Sequence, residues 1–164
     1  IRALLNHCPD GERIVTIEDT REITLNRPNA IALLTRHDPE HLVPDISLQT
    51  LIVNALRMRP DRIVVGEVRG PEALLLLDAL ATGHQGSMSS LHASTPQQAL
   101  RRLESLVSRG APQWNVGAIR QLISDSISVI LMVERKNGLR QLTQAAQITG
   151  FENFGFLLDI KPFA

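Results

Sequence analysis

Apolar positions along the chain fall into two kinds of run. Continuous, β-branched stretches stand at Arg13-Ile14-Val15-Thr16-Ile17 and Arg62-Ile63-Val64-Val65-Gly66, the pattern of strands buried on both faces. A weaker one, Ser87-Met88-Ser89-Ser90-Leu91, leads into His92. Between them the apolar spacing is helical. Leu48, Leu51, Ile52, Ala55 and Leu56 share one face behind Ser47, a good N-cap, and Pro60-Asp61 ends that helix. Gly70-Pro71-Glu72 opens another, with Pro at its first position and an acid in its first turn. Thr95-Pro96 starts a helix to about Arg109, and 115–124 reads as one more.

The remaining segments complete the outline. Residues 1–8 read as the end of a helix stopped by Pro9-Asp10-Gly11. Residues 23–35 predict two short strands around a turn at 26–29, and 36–45 predict a loop. Two further strands, 127–133 and 141–148, flank Asn137-Gly138, a strong hairpin signal. This alternation implies an α/β fold with a mostly parallel central sheet and an antiparallel C-terminal hairpin. No repeat or linker divides the chain, so 1–164 is expected to be a single domain or most of one.

Composition narrows the function. With 43% hydrophobic residues, disorder is excluded. Lys plus Arg and Asp plus Glu cancel at 17 each, so no global field draws the chain to nucleic acid or anionic lipid. Aromatics make up 3%, with no Tyr, which argues against base stacking, and no specific nucleic-acid partner is expected. The single cysteine, Cys8, allows neither an internal disulfide nor a thiolate metal framework, and fits a reducing compartment. The run Ala73-Leu74-Leu75-Leu76-Leu77 is broken by Asp78 and is too short to cross a bilayer. Ile1 begins in mid-pattern without an initiator Met, so a fragment is expected.

Three strand-type runs each end in a group suited to catalysis: Glu18-Asp19, Glu67 and His92. In a parallel sheet the carboxyl ends of the strands share one edge, and ligands bind in the crevice there. Two acids and an imidazole brought to that edge have the logic of nucleotide hydrolysis: one acid for the metal, one to orient water, a donor near the terminal phosphate. Each residue also has a plainer reading. Acids after strands commonly serve as loop or cap residues, and a lone His after a strand is more often a surface or core residue.

The longer strings are more specific. RIVTIEDTREI at 13–23 resembles the acidic box of the type II/type IV secretion ATPase superfamily. LRMRPDRIVVGEVRGPEA at 56–73 is similar to its Walker B region, and TGHQGSMSSLHA at 82–93 to its histidine box. All three stand in the family's order, and the resemblance reaches Thr149-Gly150. The RMRPDR, GEVRGPEA and TGHxGS forms resemble the conjugation-type and Tad-pilus branches. The type II secretion and type IV pilus branch usually has Asp where Gly70 stands, and a tetracysteine zinc motif that one Cys does not supply. Gln85 and Ser94 occupy positions where an acid and an Asn are frequent.

The resemblance implies a RecA-like P-loop NTPase core working on ATP with Mg²⁺. Glu18 would polarise the attacking water, Glu67 would hold Mg²⁺ through water, and His92 would report on the γ-phosphate. Arg69 and Arg21 would face the transferring phosphoryl group, and Asp19 would be a second acid on the metal side. Gly66 and His84 complete the nucleotide-binding set, His84 through loop geometry. Arg57, Arg59 and Arg62 either pair with acids or face a neighbouring subunit. The family's GxxGxGK[ST] loop is expected just before Ile1, because 1–8 matches the helix that the loop opens. No Gly-rich, Lys-containing loop occurs in these 164 residues, which by themselves are expected neither to bind ATP tightly nor to hydrolyse it.

The intact protein is expected to be a homo-hexamer, peripheral at the cytoplasmic face of the inner membrane, with secretion or pilus platform proteins as partners. Two other readings compete. One is a non-hydrolysing truncated remnant or interaction module. The other is a related DNA-translocating ATPase, disfavoured by the histidine box and by the lack of a basic or aromatic surface signal.

Overall fold

The two continuous apolar runs form the centre of a parallel sheet in a computed structural model that describes residues 1–163. Two units divide between Leu91 and His92. The first contains α1 (Arg2–Leu5), β1 (Ile14–Glu18), β2 (Ala30–Leu34), α2 (Leu48–Leu56), β3 (Arg62–Val65), α3 (Glu72–Ala81) and β4 (Met88–Ser89). Its sheet has the order β2-β1-β3-β4, with every pair parallel. Every residue of β1 is buried, which a strand needs when helices cover both faces. Ile14 and Val64 pack with Leu5 and Ile23, while α2 packs against β1 and α3. Ser47 caps α2 as expected, its Oγ accepting from the Thr50 amide at 3.2 Å.

The structure corrects three expectations in this unit. Residues 23–25 are not a strand, so the turn at 26–29 joins no pair of strands. The one strand there, β2, runs parallel to β1, so the chain must cross back over the sheet before pairing. That crossing is held by burial of Ile23 and by Arg27, whose guanidinium donates to the carbonyls of Leu5 and Cys8, both at 2.8 Å, and to that of Pro9. Next, α2 stops at Leu56, ahead of Pro60, and Arg59 takes a left-handed φ of 52° in the turn that follows. Finally, β4 is two residues rather than five. Serine side chains do part of the pairing: Ser87 Oγ accepts from the Ile63 amide at 2.9 Å, and Ser90 Oγ donates to the Gly66 carbonyl at 2.5 Å.

The amino edge of the sheet is tied by an ion pair and by an amide–carboxylate hydrogen bond. Arg62, at the start of β3, donates to both carboxylate oxygens of Glu12 at 2.5 and 3.0 Å and to the Gly86 carbonyl at 3.0 Å. Arg62 thus resolves to pairing with an acid. Its guanidinium lies 1.7 Å from where a Cβ on Gly86 would stand, and Gly86 has φ +74°, so no other residue fits there without strain. Beside it the Arg13 amide donates to Asp61 at 2.6 Å.

The second unit contains α4 (Pro96–Gly110), α5 (Val116–Ser126), β5 (Val129–Lys136), β6 (Leu139–Glu152) and β7 (Gly155–Pro162). Thr95 and Asn115 cap the two helices through their side chains. The sheet is antiparallel in the order β5-β6-β7, and α4 and α5 pack on it through residues including Leu100, Val107, Ile119, Ile123 and Ala146. Asn137 (φ 50°) and Gly138 (φ 82°) make the expected two-residue turn. The expected hairpin is therefore part of a three-stranded sheet. Strand β6 runs on through Thr149-Gly150 to Glu152 because the register shifts between Ile148 and Gly150, a bulge that φ +159° at Gly150 accommodates. Arg120 ties this unit together, pairing with Glu104 at 3.0 Å and donating to the carbonyls of Glu152 and Asn153 at 2.8 and 3.0 Å.

Candidate functional site

Parallel register decides what meets at the carboxyl edge of the first sheet. Ile17 pairs with Val65, so the residues that follow, Glu18 and Gly66, stand side by side. The Gly66 amide continues the ladder, donating to the Ile17 carbonyl at 2.9 Å. A Cβ on Gly66 would sit 3.0 Å from Glu18 Cγ, so the glycine leaves room for the Glu18 side chain to lie across the strand end.

Glu18 is buried, at 3% exposure, and its carboxylate is held by backbone. Oε1 accepts from the amides of Glu22 and Ile23 at 3.1 and 3.0 Å, and Oε2 from Ile23 at 3.3 Å. These bonds wrap the 19–23 loop around the acid and compensate its burial. Asp19, next in the chain, is exposed and accepts from the Thr35 hydroxyl at 3.1 Å. Arg21 is exposed on the same loop.

Past the end of β3, Glu67 is half-buried and accepts from Arg69 Nη2 at 2.7 Å. The carboxylate raises the Arg69 pKa above its ordinary value, first through this hydrogen bond and then through its charge. The segment stays pinned beside β4, the Val68 amide donating to the Ser90 carbonyl at 3.0 Å. Glu72, read from sequence only as a first-turn acid, does more. It is buried, and its Oε1 accepts from the amides of Arg69 and Gly70 at 2.8 and 2.7 Å. The signal for it was the short spacing from the Gly of RGPE to the acid.

Asp19, Thr35, Arg36, Asp45, Ser47 and Glu72 contribute to the lining of one cleft of about 370 Å³ beside this edge. The structure thus brings Glu18, Asp19, Gly66, Glu67 and Arg69 to neighbouring positions at the strand ends. His84 lies elsewhere, at the C-terminal end of α3, where Nδ1 donates to the Ala79 carbonyl at 3.0 Å and closes the helix. His92 opens the second unit, exposed, in the segment before the Thr95 cap.

Magnesium suits this donor set. Hard divalent cations take carboxylate and water oxygens and need few protein ligands when phosphates supply the rest. Among the described residues no group of three His, Cys, Asp or Glu side chains forms a closed cage, so a metal here would be held by Glu67 or Asp19 together with water and phosphate.

A parallel α/β sheet binds ligands at the carboxyl ends of its strands, where these acids stand, and that places the protein in the open-sheet α/β class. Comparison with known proteins makes this specific. The model of the type II/IV secretion system protein family matches residues 1–149, and the chain belongs to that family. It is 35% identical over 153 residues to the conjugal transfer protein TrbB of Rhizobium radiobacter, covering 93% of this chain and 44% of the relative. It is 35% identical over 145 residues to the type IV secretion system protein VirB11 of Bartonella quintana, covering 87% of this chain and 40% of the relative. The crystal structure of the VirB11 ATPase from the Brucella suis type IV secretion system, in complex with sulphate, superposes with a TM-score of 0.78 at 30% identity, covering 89% of this chain and 43% of that one. The chain spans less than half the length of these relatives.

Proposed function

We propose that the protein carrying this chain is an ATP-hydrolysing motor subunit of a bacterial secretion, conjugation or pilus-assembly system. The 164 residues are its partial RecA-like domain, with the acidic box, Walker B strand and histidine box. One observation carries the reading: adjacent parallel strands deliver Glu18-Asp19 and Glu67 to one edge, in a chain whose VirB11 relative of known structure is an ATPase.

In this reading Glu67 would hold Mg²⁺ through water, and the ion would supply charge neutralisation at the phosphates. Glu18 accepts a hydrogen bond from the attacking water on Oε2, which takes one amide bond, from Ile23, and keeps a lone pair for the water. Asp19 stands on the metal side, Arg69 and Arg21 face the phosphoryl group, and Gly66 keeps the strand end open for Glu18. The γ-phosphate role of His92 rests on the resemblance of its motif, and His84 serves by closing α3. The intact motor is a homo-hexamer working at the cytoplasmic face of the inner membrane with platform proteins. Among the described residues no helix is long and apolar enough to cross a membrane, and attachment through partners needs none.

The test is Mg²⁺-dependent ATP hydrolysis by the intact protein, with Glu67→Gln as the control that removes the charge and keeps the shape. Turnover in wild type that collapses in the variant supports the assignment; wild-type turnover in Glu67→Gln overturns the Walker B role. No hydrolysis in the intact protein leaves the remnant or interaction module. The chain by itself lacks a Lys-bearing phosphate loop and is expected to be inactive, so turnover by the isolated 164 residues overturns that part.

A further inference from the structure

The buried acid of α3 ties down the turn that carries Glu67. An acid in a first turn is stabilised by the helix dipole and, as in a capping box, can reach back to an amide ahead of the helix. Glu72 reaches back to two. A single oxygen, Oε1, accepts from the amides of Arg69 and Gly70, both outside the helix, at 2.8 and 2.7 Å. These residues follow directly on Glu67, and Arg69 is the one whose guanidinium pairs with Glu67 at 2.7 Å.

Gly70 belongs to the same arrangement. A Cβ there would stand 2.8 Å from Glu72 Oε2 and 3.7 Å from Oε1. Its backbone takes no positive φ, so left-handed geometry is not the reason for glycine. A Cβ at position 70 crowds Oε2, and pushing Oε2 away moves the carboxylate whose Oε1 holds the turn.

We propose that Glu72 is a positioning residue: it fixes the 67–70 turn by both amide bonds, and so sets where Glu67 and Arg69 are presented, with Gly70 present to admit its carboxylate. The inference rests on the reading of Glu67 as a metal-side acid for its functional part, and on geometry alone for its structural part. Glu72 itself touches neither metal nor phosphate; it acts through the turn.

The test uses the intact protein and three variants. Glu72→Ala removes the acceptor; Glu72→Gln keeps a carbonyl oxygen where Oε1 lies; Gly70→Ala crowds it. Hydrogen exchange at the amides of Arg69 and Gly70 is expected to speed up in Glu72→Ala and Gly70→Ala and to stay slow in Glu72→Gln. In turnover, Glu72→Ala is expected to raise the Mg²⁺ concentration for half-maximal activity about tenfold, the size typical of losing a partner that orients a metal ligand. Glu72→Gln should restore most of it. Gly70→Ala should cost much less in the Glu72→Ala background than in wild type, since its target is already gone. Unchanged amide exchange in Glu72→Ala, or additive effects of the two substitutions, overturns the proposal. If wild type hydrolyses nothing, the function assigned to the site fails while the exchange and coupling measurements still decide the role of Glu72. A loss of thermal stability with unchanged Mg²⁺ dependence reduces Glu72 to a fold residue and also overturns it.

Discussion

The two edges of the first sheet are built from the same residue types and put them to different uses. At the amino edge Glu12 meets Arg62, Asp61 meets the Arg13 amide, and Gly86 admits the Arg62 guanidinium. At the carboxyl edge Glu18, Asp19, Glu67 and Glu72 gather at the strand and helix ends, with Arg69 as a paired cation. Two of those acids, Glu18 and Glu72, are bound by amides instead of by guanidinium groups. An amide holds a carboxylate in place without cancelling its charge, so this edge keeps a negative field that a metal ion can answer. Contacts at one edge hold the fold; at the other, two acids bound by amides keep their charge beside the Glu67–Arg69 pair.

Charge removal at the carboxyl edge should break the contrast most sharply. Glu18→Gln retains an oxygen for the Glu22 and Ile23 amides, so the intact protein is expected to fold normally and lose about 10²–10⁴-fold in ATP turnover, measured under saturating ATP. A variant with normal turnover would place the water-activating acid elsewhere. Glu67→Gln is expected to lower turnover by about 10–100-fold and to weaken the response to Mg²⁺.

The amino edge should answer in stability and not in chemistry. Gly86→Ala is expected to cost about 1–3 kcal/mol in denaturant unfolding, because the backbone is left-handed there and the Arg62 guanidinium is in the way. Turnover per folded molecule should hold; a large fall in it would mean that the two edges are not independent. Ser47→Ala, which removes the cap of α2, should cost about 1 kcal/mol.

The smallest effect is one of pH. Glu12 is held below its ordinary pKa of 4.5, first by the hydrogen bond from Arg62. A carboxyl whose folded pKa is depressed contributes stability that is present above the unfolded value and is lost as pH falls through the folded one. Stability in wild type should therefore decline below about pH 4.5, and Glu12→Gln should flatten that part of the curve. Equal acid limbs in both proteins would remove the pair from the account of the amino edge.

Much of this was legible in order along the chain. The runs at 13–17 and 62–66 are β-branched without polar alternation, and they became the buried centre of the sheet. Ser47, Thr95 and Asn115 announced three helix starts by their chemistry. The acids after the two strands were visible as residues, though not in their state. Glu18 gave no sign that Glu22 and Ile23 would turn back to bind it, because a loop of that length has many conformations of similar local energy. Strand β7 is not legible because Phe156-Leu157-Leu158 breaks any alternation and its partner β6 continues past Ile148 only through the bulge at Gly150.

Local pattern by itself determined most of the strands and helices, where most helices begin, and which side chains follow the strands. These depend on spacing and on groups a few residues apart. Only the tertiary structure decided that β1 and β3 lie side by side in a register that sets Glu18 against Gly66. Only it made residues 23–29 a crossing held by Arg27, and turned Glu72 from a helix acid into the support of the turn before it. Those outcomes follow from filling a core and satisfying buried amides across segments distant in sequence, which no single stretch of sequence encodes.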